Sequence, residues 1–318
     1  MKNCQQQIRY WLPPVFLLLI LILGCDEPAT TDSNEPEEKI EYLVGESYFG
    51  RNNYIQYKVG NLPLIIAAPH GGSEKPEEIP DRSWGSTVKD AFTLEMSRVL
   101  ADSLNELTGK QVHLITCLLH RSKLDANRDL DEAAQGNGYA GTAWTEYHNF
   151  INVAKEKVTE EFGHGLYIDL HGQSRRPRIE LGYLLDDVDL MLPDSVLDEP
   201  LYVEKSSLRA LAEFAPGDFS SILRGDFSLG NYLSSQGYPT VPSITISHPG
   251  EDGYFRGGYN TVRHGSRDSG TISAVQIELY KEGIRDSSEN RARFAGHFTL
   301  AVHRFFKEFF ALDLSSRQ

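Results

Sequence analysis

Short apolar runs and longer amphipathic stretches alternate along most of the chain. Tyr54–Val59 alternates apolar and polar positions and meets Gly60-Asn61, a turn signal. Leu62–Ala68 is an apolar run that ends at Pro69-His70-Gly71-Gly72. Together they predict a hairpin whose second strand is buried and ends in a glycine loop. Asp90–Leu107 spaces Phe92, Met96, Val99, Leu100, Leu104 and Leu107 along one helix face, and Gly109 stops it. Val112–Leu119 reads as a strand and Ala143–Phe162 as a second helix, broken at Gly163–Gly165. Leu166–Leu170 is another buried strand, ending at His171. Ile179–Leu185, Thr240–Ser247 and Ser273–Leu279 read as further strands, the middle one running into His248-Pro249-Gly250. Ala292–Leu312 closes the chain as a long amphipathic helix. Buried strands alternating with helices predict an α/β sandwich with a largely parallel or mixed sheet. Ligand sites in such sheets gather at the carboxyl ends of strands. That rule selects His70, the segment after Leu119, His171 and the end of Ser273–Leu279.

The start of the chain follows a different pattern. Val15–Leu23 is wholly apolar behind a basic start at Lys2 and Arg9, and it is short for a bilayer span, which needs about 20 residues. It fits the apolar core of a signal peptide. Ile22-Leu23-Gly24-Cys25 resembles a bacterial lipobox, which implies cleavage before Cys25 and lipid on its sulfur. The polar, acidic stretch after it cannot bury apolar surface and is expected to be a disordered tether. The expected organisation is a lipoprotein signal peptide over 1–24, a tether over 25–43 and one catalytic domain over 44–318. The expected location is the bacterial cell envelope, periplasmic or outer surface, with the membrane reached through the lipid anchor.

Of 318 residues, 40% are hydrophobic and 24% charged, enough for a sizeable core. The formal net charge of −14 argues against a nucleic-acid partner, because phosphate binding needs a basic face. An acidic substrate stays open, since a local arginine cluster can override the mean field. Cys4 leaves with the signal, Cys25 carries lipid, and Cys117 sits in an apolar run as a small buried hydrophobe. That excludes a disulfide framework and a cysteine zinc site.

His70 and His171 share one grammar: each ends a buried strand and precedes glycine, which lets the backbone turn and a ligand approach. The repetition points to a metal held by both. A catalytic zinc needs a third protein ligand and an open position for water. The third ligand is expected to be an acid, either Glu74 in the His70 loop or Asp90 at the start of the following helix, where it would also complement the helix dipole. Past the next strand, Arg121-Ser122-Lys123-Leu124-Asp125-Ala126-Asn127-Arg128 supplies cations and amides able to clamp a carboxylate, with Asp125 placed to orient an arginine. Strand alternation puts Glu278 on the face of Gln276, where a carboxylate would serve as general base. Phe255–Gly265 reads as a mobile glycine loop whose Tyr259 and His264 contact substrate.

These residues, in this order, resemble the N-formylglutamate amidohydrolases. The resemblance runs from about Tyr48 to Phe310 and rests on Pro69-His70-Gly71-Gly72, Arg121 with Asp125-Ala126-Asn127-Arg128, Asp169-Leu170-His171, Gly257-Gly258-Tyr259, His264-Gly265 and Gln276-Ile277-Glu278. That family is similar to the zinc carboxypeptidases. The resemblance implies a three-layer α/β/α, phosphorylase/hydrolase-like fold with one catalytic zinc on His70 and His171. By comparison with the carboxypeptidases it favours Asp90 over Glu74. It implies Asn127 and Arg128, joined by Arg121, as carboxylate binders and Glu278 as base. The expected activity is hydrolysis of an amide in an N-acyl amino acid or a short carboxylate-bearing peptide. Two other functions fit: a carboxypeptidase or amidase acting on cell-wall or poly-glutamate peptides, and a surface binding lipoprotein without catalysis.

Overall fold

A computed structural model describes residues 40–315, so the signal peptide, Cys25 and most of the tether lie outside the described residues. Eight strands form one mixed sheet: β1 (Ser47–Phe49), β2 (Ile55–Lys58), β3 (Leu64–Ala68), β4 (His113–Cys117), β5 (Gly165–Gly172), β6 (Ile179–Gly182), β7 (Thr240–Val241) and β8 (Ile272–Leu279). Their spatial order is β1-β2-β4-β3-β5-β8-β6-β7. β4, β3, β5 and β8 run parallel, while β2 and β6 pair antiparallel to β4 and β8. The four central strands therefore end on one edge of the sheet.

Helices cover both faces. On one, Leu64, Ile66, Ile168, Leu170 and Ile277 pack with Met96, Leu100 and Leu104 of α1 (Thr93–Thr108) and with Phe294, Phe298 and Phe305 of the C-terminal helix Ser288–Phe309. On the other, Ile65, Ala67, Ile115 and Tyr167 pack with Tyr147, Ile151, Ala154 and Val158 of α3 (Gly138–Phe162), which follows the short α2 (Leu130–Ala134). β5 and β8 send alternate side chains to the two faces. That alternation places Asp169 beside Gln276 and His171 beside Glu278, both pairs in register.

Four expectations are corrected. β2 and β3 do not form a hairpin, because β4 lies between them. Gly60-Asn61 instead crosses the start of β4, where Asn61 Oδ1 accepts from Gln111 N–H at 2.8 Å. His171 does not follow its strand; β5 runs through it to Gly172. The strand expected over Thr240–Ser247 ends at Val241, because Pro242 has no N–H to extend the ladder. The loop expected over Phe255–Gly265 contains a helix, Tyr259–His264, whose Asn260, Thr261 and His264 are buried. Six short helices between Asp187 and Ser235 went unread, since helices of four to seven residues develop no apolar period.

Candidate metal centre

His70 lies two residues past β3, Asp90 in the loop that enters α1, and His171 at the end of β5. The two rings meet edge-on with centroids 4.8 Å apart. Both Nδ1 atoms face one oxygen: Asp90 Oδ2 lies 3.4 Å from that of His70 and 3.2 Å from that of His171. The three residues offer ligand atoms all within 4.8 Å of one another. Asp90 does not cap the helix with its side chain. Its carbonyl accepts from Thr93 N–H and Thr93 Oγ1, its N–H donates to the His70 carbonyl, and Gly172 N–H donates to Oδ2. Glu74, the other candidate acid, is exposed and its backbone pairs with Leu119.

Each imidazole is held from behind. His70 Nε2 is 2.6 Å from Asp125 Oδ1, and His171 Nε2 is 2.9 Å from Asp169 Oδ2. A ring N–H given to a carboxylate fixes the tautomer and turns the other nitrogen outward as a ligand. His70 Nδ1 is buried with no hydrogen-bond partner. A lone buried acceptor is costly unless something satisfies it. A cation at the point shared with His171 and Asp90 would do so. Two imidazoles and one carboxylate make a three-ligand set that leaves a position open, so these residues fit a catalytic divalent metal.

The charges agree with that reading. Burial pushes the Asp90 carboxyl up, but His70 and His171 outweigh it and hold it well below the usual range. Burial likewise works against Asp125, and His70 with Arg121 and Arg128 overcomes it. Burial opposes charge on His171, yet Asp169 and Asp90 raise it well above its ordinary value. Glu278 goes the other way: burial, with Asp90, Glu180 and Asp169 nearby, lifts it to about 8 against the opposing pull of His171.

The centre opens into a cleft of about 850 Å³, lined among others by Arg121, Asn127, Arg128, Gln276 and Glu278. Asn127 is fixed by two hydrogen bonds, and its amide nitrogen borders His171. Its Oδ1 accepts from Asn260 N–H at 2.8 Å, its N–H donates to Asp125, and its Nδ2 lies 3.1 Å from His171 Nε2. Gly258 packs against this amide: a Cβ there would fall 2.8 Å from Asn127 Nδ2 and would push it out of place. Arg121 is partly spent on Asp125 at 2.9 Å and Asp90 at 3.5 Å, whereas Arg128 bonds Glu132 and stays partly exposed.

Tyr259 and His264 are not brought to the cleft. His264 points into the core, 2.8 Å from His148 Nδ1, and Tyr259 packs by Trp144 and His148. The helix that replaces the expected loop turns both away. Asp169 and Asn260 had no assigned role from sequence. Asp169 stands two residues before His171, so strand alternation already put it on the same face. Asn260 gives no such signal; its Nδ2 donates to Asp169 at 3.2 Å.

No protein-family model matches the chain. It is 24% identical to the N-formylglutamate deformylase of Pseudomonas putida, over 58% of this chain and 78% of that protein. Its fold is similar to the crystal structure of N-formylglutamate amidohydrolase from Ralstonia eutropha JMP134, with a TM-score of 0.50 and 14% identity, over 81% of this chain and 98% of that one. With the ordered motifs and the α/β sheet beneath them, these likenesses make the chain a hydrolase of C–N bonds. It is similar in sequence to that deformylase and in fold to that amidohydrolase, both at low identity.

Proposed function

We propose that the chain is a zinc-dependent amidohydrolase that cleaves an amide in an N-acyl amino acid or short peptide bearing a carboxylate. The observation that carries this is the pair of Nδ1 atoms turned to one Asp90 oxygen, each ring backed by its own aspartate. Zinc bound there would polarise the scissile carbonyl and acidify a water. His70, Asp90 and His171 would hold it. Glu278 takes the proton of the attacking water and returns it to the leaving amine. Burial and the acids around it raise the Glu278 carboxyl, so a proton it has taken is held until the amine leaves. Arg128 and Asn127, with Arg121 beside them, hold a substrate carboxylate and so orient the amide. Cys25 would carry lipid and tether the domain to the cell envelope, so the substrate is met outside the cytoplasm.

The test is metal content and turnover together. The purified chain is expected to hold about one zinc, His171→Ala is expected to lose it, and N-acyl amino acids or short peptides are expected to be hydrolysed only by the zinc form. A chain that takes up no metal overturns the ligand assignment. Ligand binding without hydrolysis at any metal content supports the binding-lipoprotein reading instead.

A further inference from the structure

The chain carries 31 Lys and Arg against 45 Asp and Glu, yet the cleft reverses that balance. Seven Lys and Arg side chains line it against two carboxylates, Asp90 and Glu278. Several of the seven are committed. Arg121 and Arg128 are paired as described, and the buried Arg285 guanidinium donates to backbone carbonyls. Arg256 lies 3.9 Å from Asp186 and Lys89 Nζ donates to Ser73 Oγ, whereas the Arg175 and Lys281 side chains have neither an ion pair nor a hydrogen bond among the described residues, and both line the cleft.

Arg175 is presented by a built loop. Gln173, itself buried, ties the turn after β5: its Oε1 accepts from Arg175 and Arg176 N–H at 2.6 and 2.9 Å, and its Nε2 donates to the Arg176 and Arg178 carbonyls at 2.6 and 3.0 Å. The neighbouring arginines are neutralised. Fully buried Glu180 accepts from Arg176 Nε and Nη2 and from Arg178 Nε. One acid thus absorbs two of three arginines, and Arg175 is the one left over at the cleft. Lys281 stands two residues past the end of β8, three beyond Glu278. Another part of the lining, Tyr254–Gly257, is pinned to β6 and the segment just after it: Phe255 N–H donates to Glu180 Oε2 at 2.9 Å, and Leu184 N–H to the Arg256 carbonyl at 2.6 Å.

We propose that Arg175 and Lys281 form a second carboxylate subsite beside the one assigned to Asn127 and Arg128, so that the cleft takes a short acidic peptide with carboxylates on more than one residue. This rests on the amide-hydrolase reading above. A substrate with one amide and one carboxylate leaves both cations solvated and most of the roughly 850 Å³ unfilled, a volume at the upper end of the ~300–1,000 Å³ usual for small-ligand sites. Carboxylates are favoured over phosphates because the bond to be broken is an amide. A short ligand is favoured because the net charge of −14 repels a long polyanion beyond the cleft.

The experiment compares N-acetylglutamate, N-acetyl-trialanine and N-acetyl-triglutamate on the zinc-loaded full chain, in wild type and Arg175→Gln/Lys281→Gln. Triglutamate is expected to have the highest kcat/KM. In the double variant its KM is expected to rise about ten- to a hundredfold with little change in kcat, as for loss of two charge-assisted contacts, and the rise is expected to be at least about fivefold smaller for N-acetylglutamate. Added salt is expected to weaken the wild-type preference. Equal losses on all three peptides, or no preference for triglutamate, overturn the subsite. If nothing is hydrolysed, calorimetry separates the two claims. Triglutamate binding that the double variant weakens keeps the subsite while the amidohydrolase reading falls, and absence of binding removes both. Tripolyphosphate binding as tightly as triglutamate overturns the carboxylate assignment.

Discussion

Two pairs of buried histidines meet ring to ring in this fold. His70 and His171 lie with centroids 4.8 Å apart, and His148 and His264 stack at 5.1 Å. Burial is common to both pairs, but the surroundings differ. The first pair is ringed by Asp90, Asp125 and Asp169. The second packs against Trp144, Tyr147, Tyr167 and Tyr259, and among the described residues it has no carboxylate within ion-pair reach. Burial, with Arg263 nearby, drives His148 down to about 3. His264 is driven well below its ordinary value by burial, His148, Lys155 and Arg263. Burial without a carboxylate therefore makes an imidazole a neutral packing group. Carboxylates behind and beside it turn the same ring into a place for positive charge.

Three measurements test that contrast. The largest effect is expected at Glu278, where Glu278→Gln keeps the metal but lowers kcat by about 10²–10⁴, the range for loss of a general base. Full activity in that variant would make the residue structural. Next, Asp125→Asn or Asp169→Asn should weaken metal affinity by about 10–100-fold, since each holds a ligand in its tautomer, whereas His148→Asn should leave metal content unchanged. A metal loss at His148 would erase the distinction between the pairs. The smallest effect concerns acid. Between about pH 6.5 and 3 the unfolded chain protonates His148 and the folded chain does not, so stability is full above that window and falls as pH drops through it. Replacing His148 by Asn should remove about 1 kcal/mol per pH unit of that slope, read from urea unfolding at pH 6 and 5. An unchanged slope would show that His148 is charged in the fold.

Much of this was legible in the chain. Buried runs ending in His-Gly located both imidazoles, because a strand end and a metal ligand leave the same short-range mark. Glu278 was placed by the two-residue period of a strand. What stayed hidden depends on contacts distant in sequence. The order β2-β4-β3 follows from Gly60 packing against the start of β4, and nothing near Gly60 announces it. His264 went to the core side, and Tyr259 to the Trp144 side, of a helix that glycines had suggested would be a loop. The choice of Asp90 over Glu74 depends on where the chain folds back after a loop of some twenty residues, which no local pattern specifies.

One guanidinium has a consequence for how the molecule matures. All three candidate ligands have been synthesised by residue 171, but Arg285 donates to the carbonyls of Ala91, Gln173 and Leu279, and so staples the Asp90 loop to the ends of β5 and β8. Gly172 leaves room for it, since a Cβ there would lie 2.5 Å from the Arg285 Cζ. A growing chain thus carries every donor atom long before it owns the part that holds them in line. A product truncated before residue 285 would contain the three candidate ligands without the frame that aligns them.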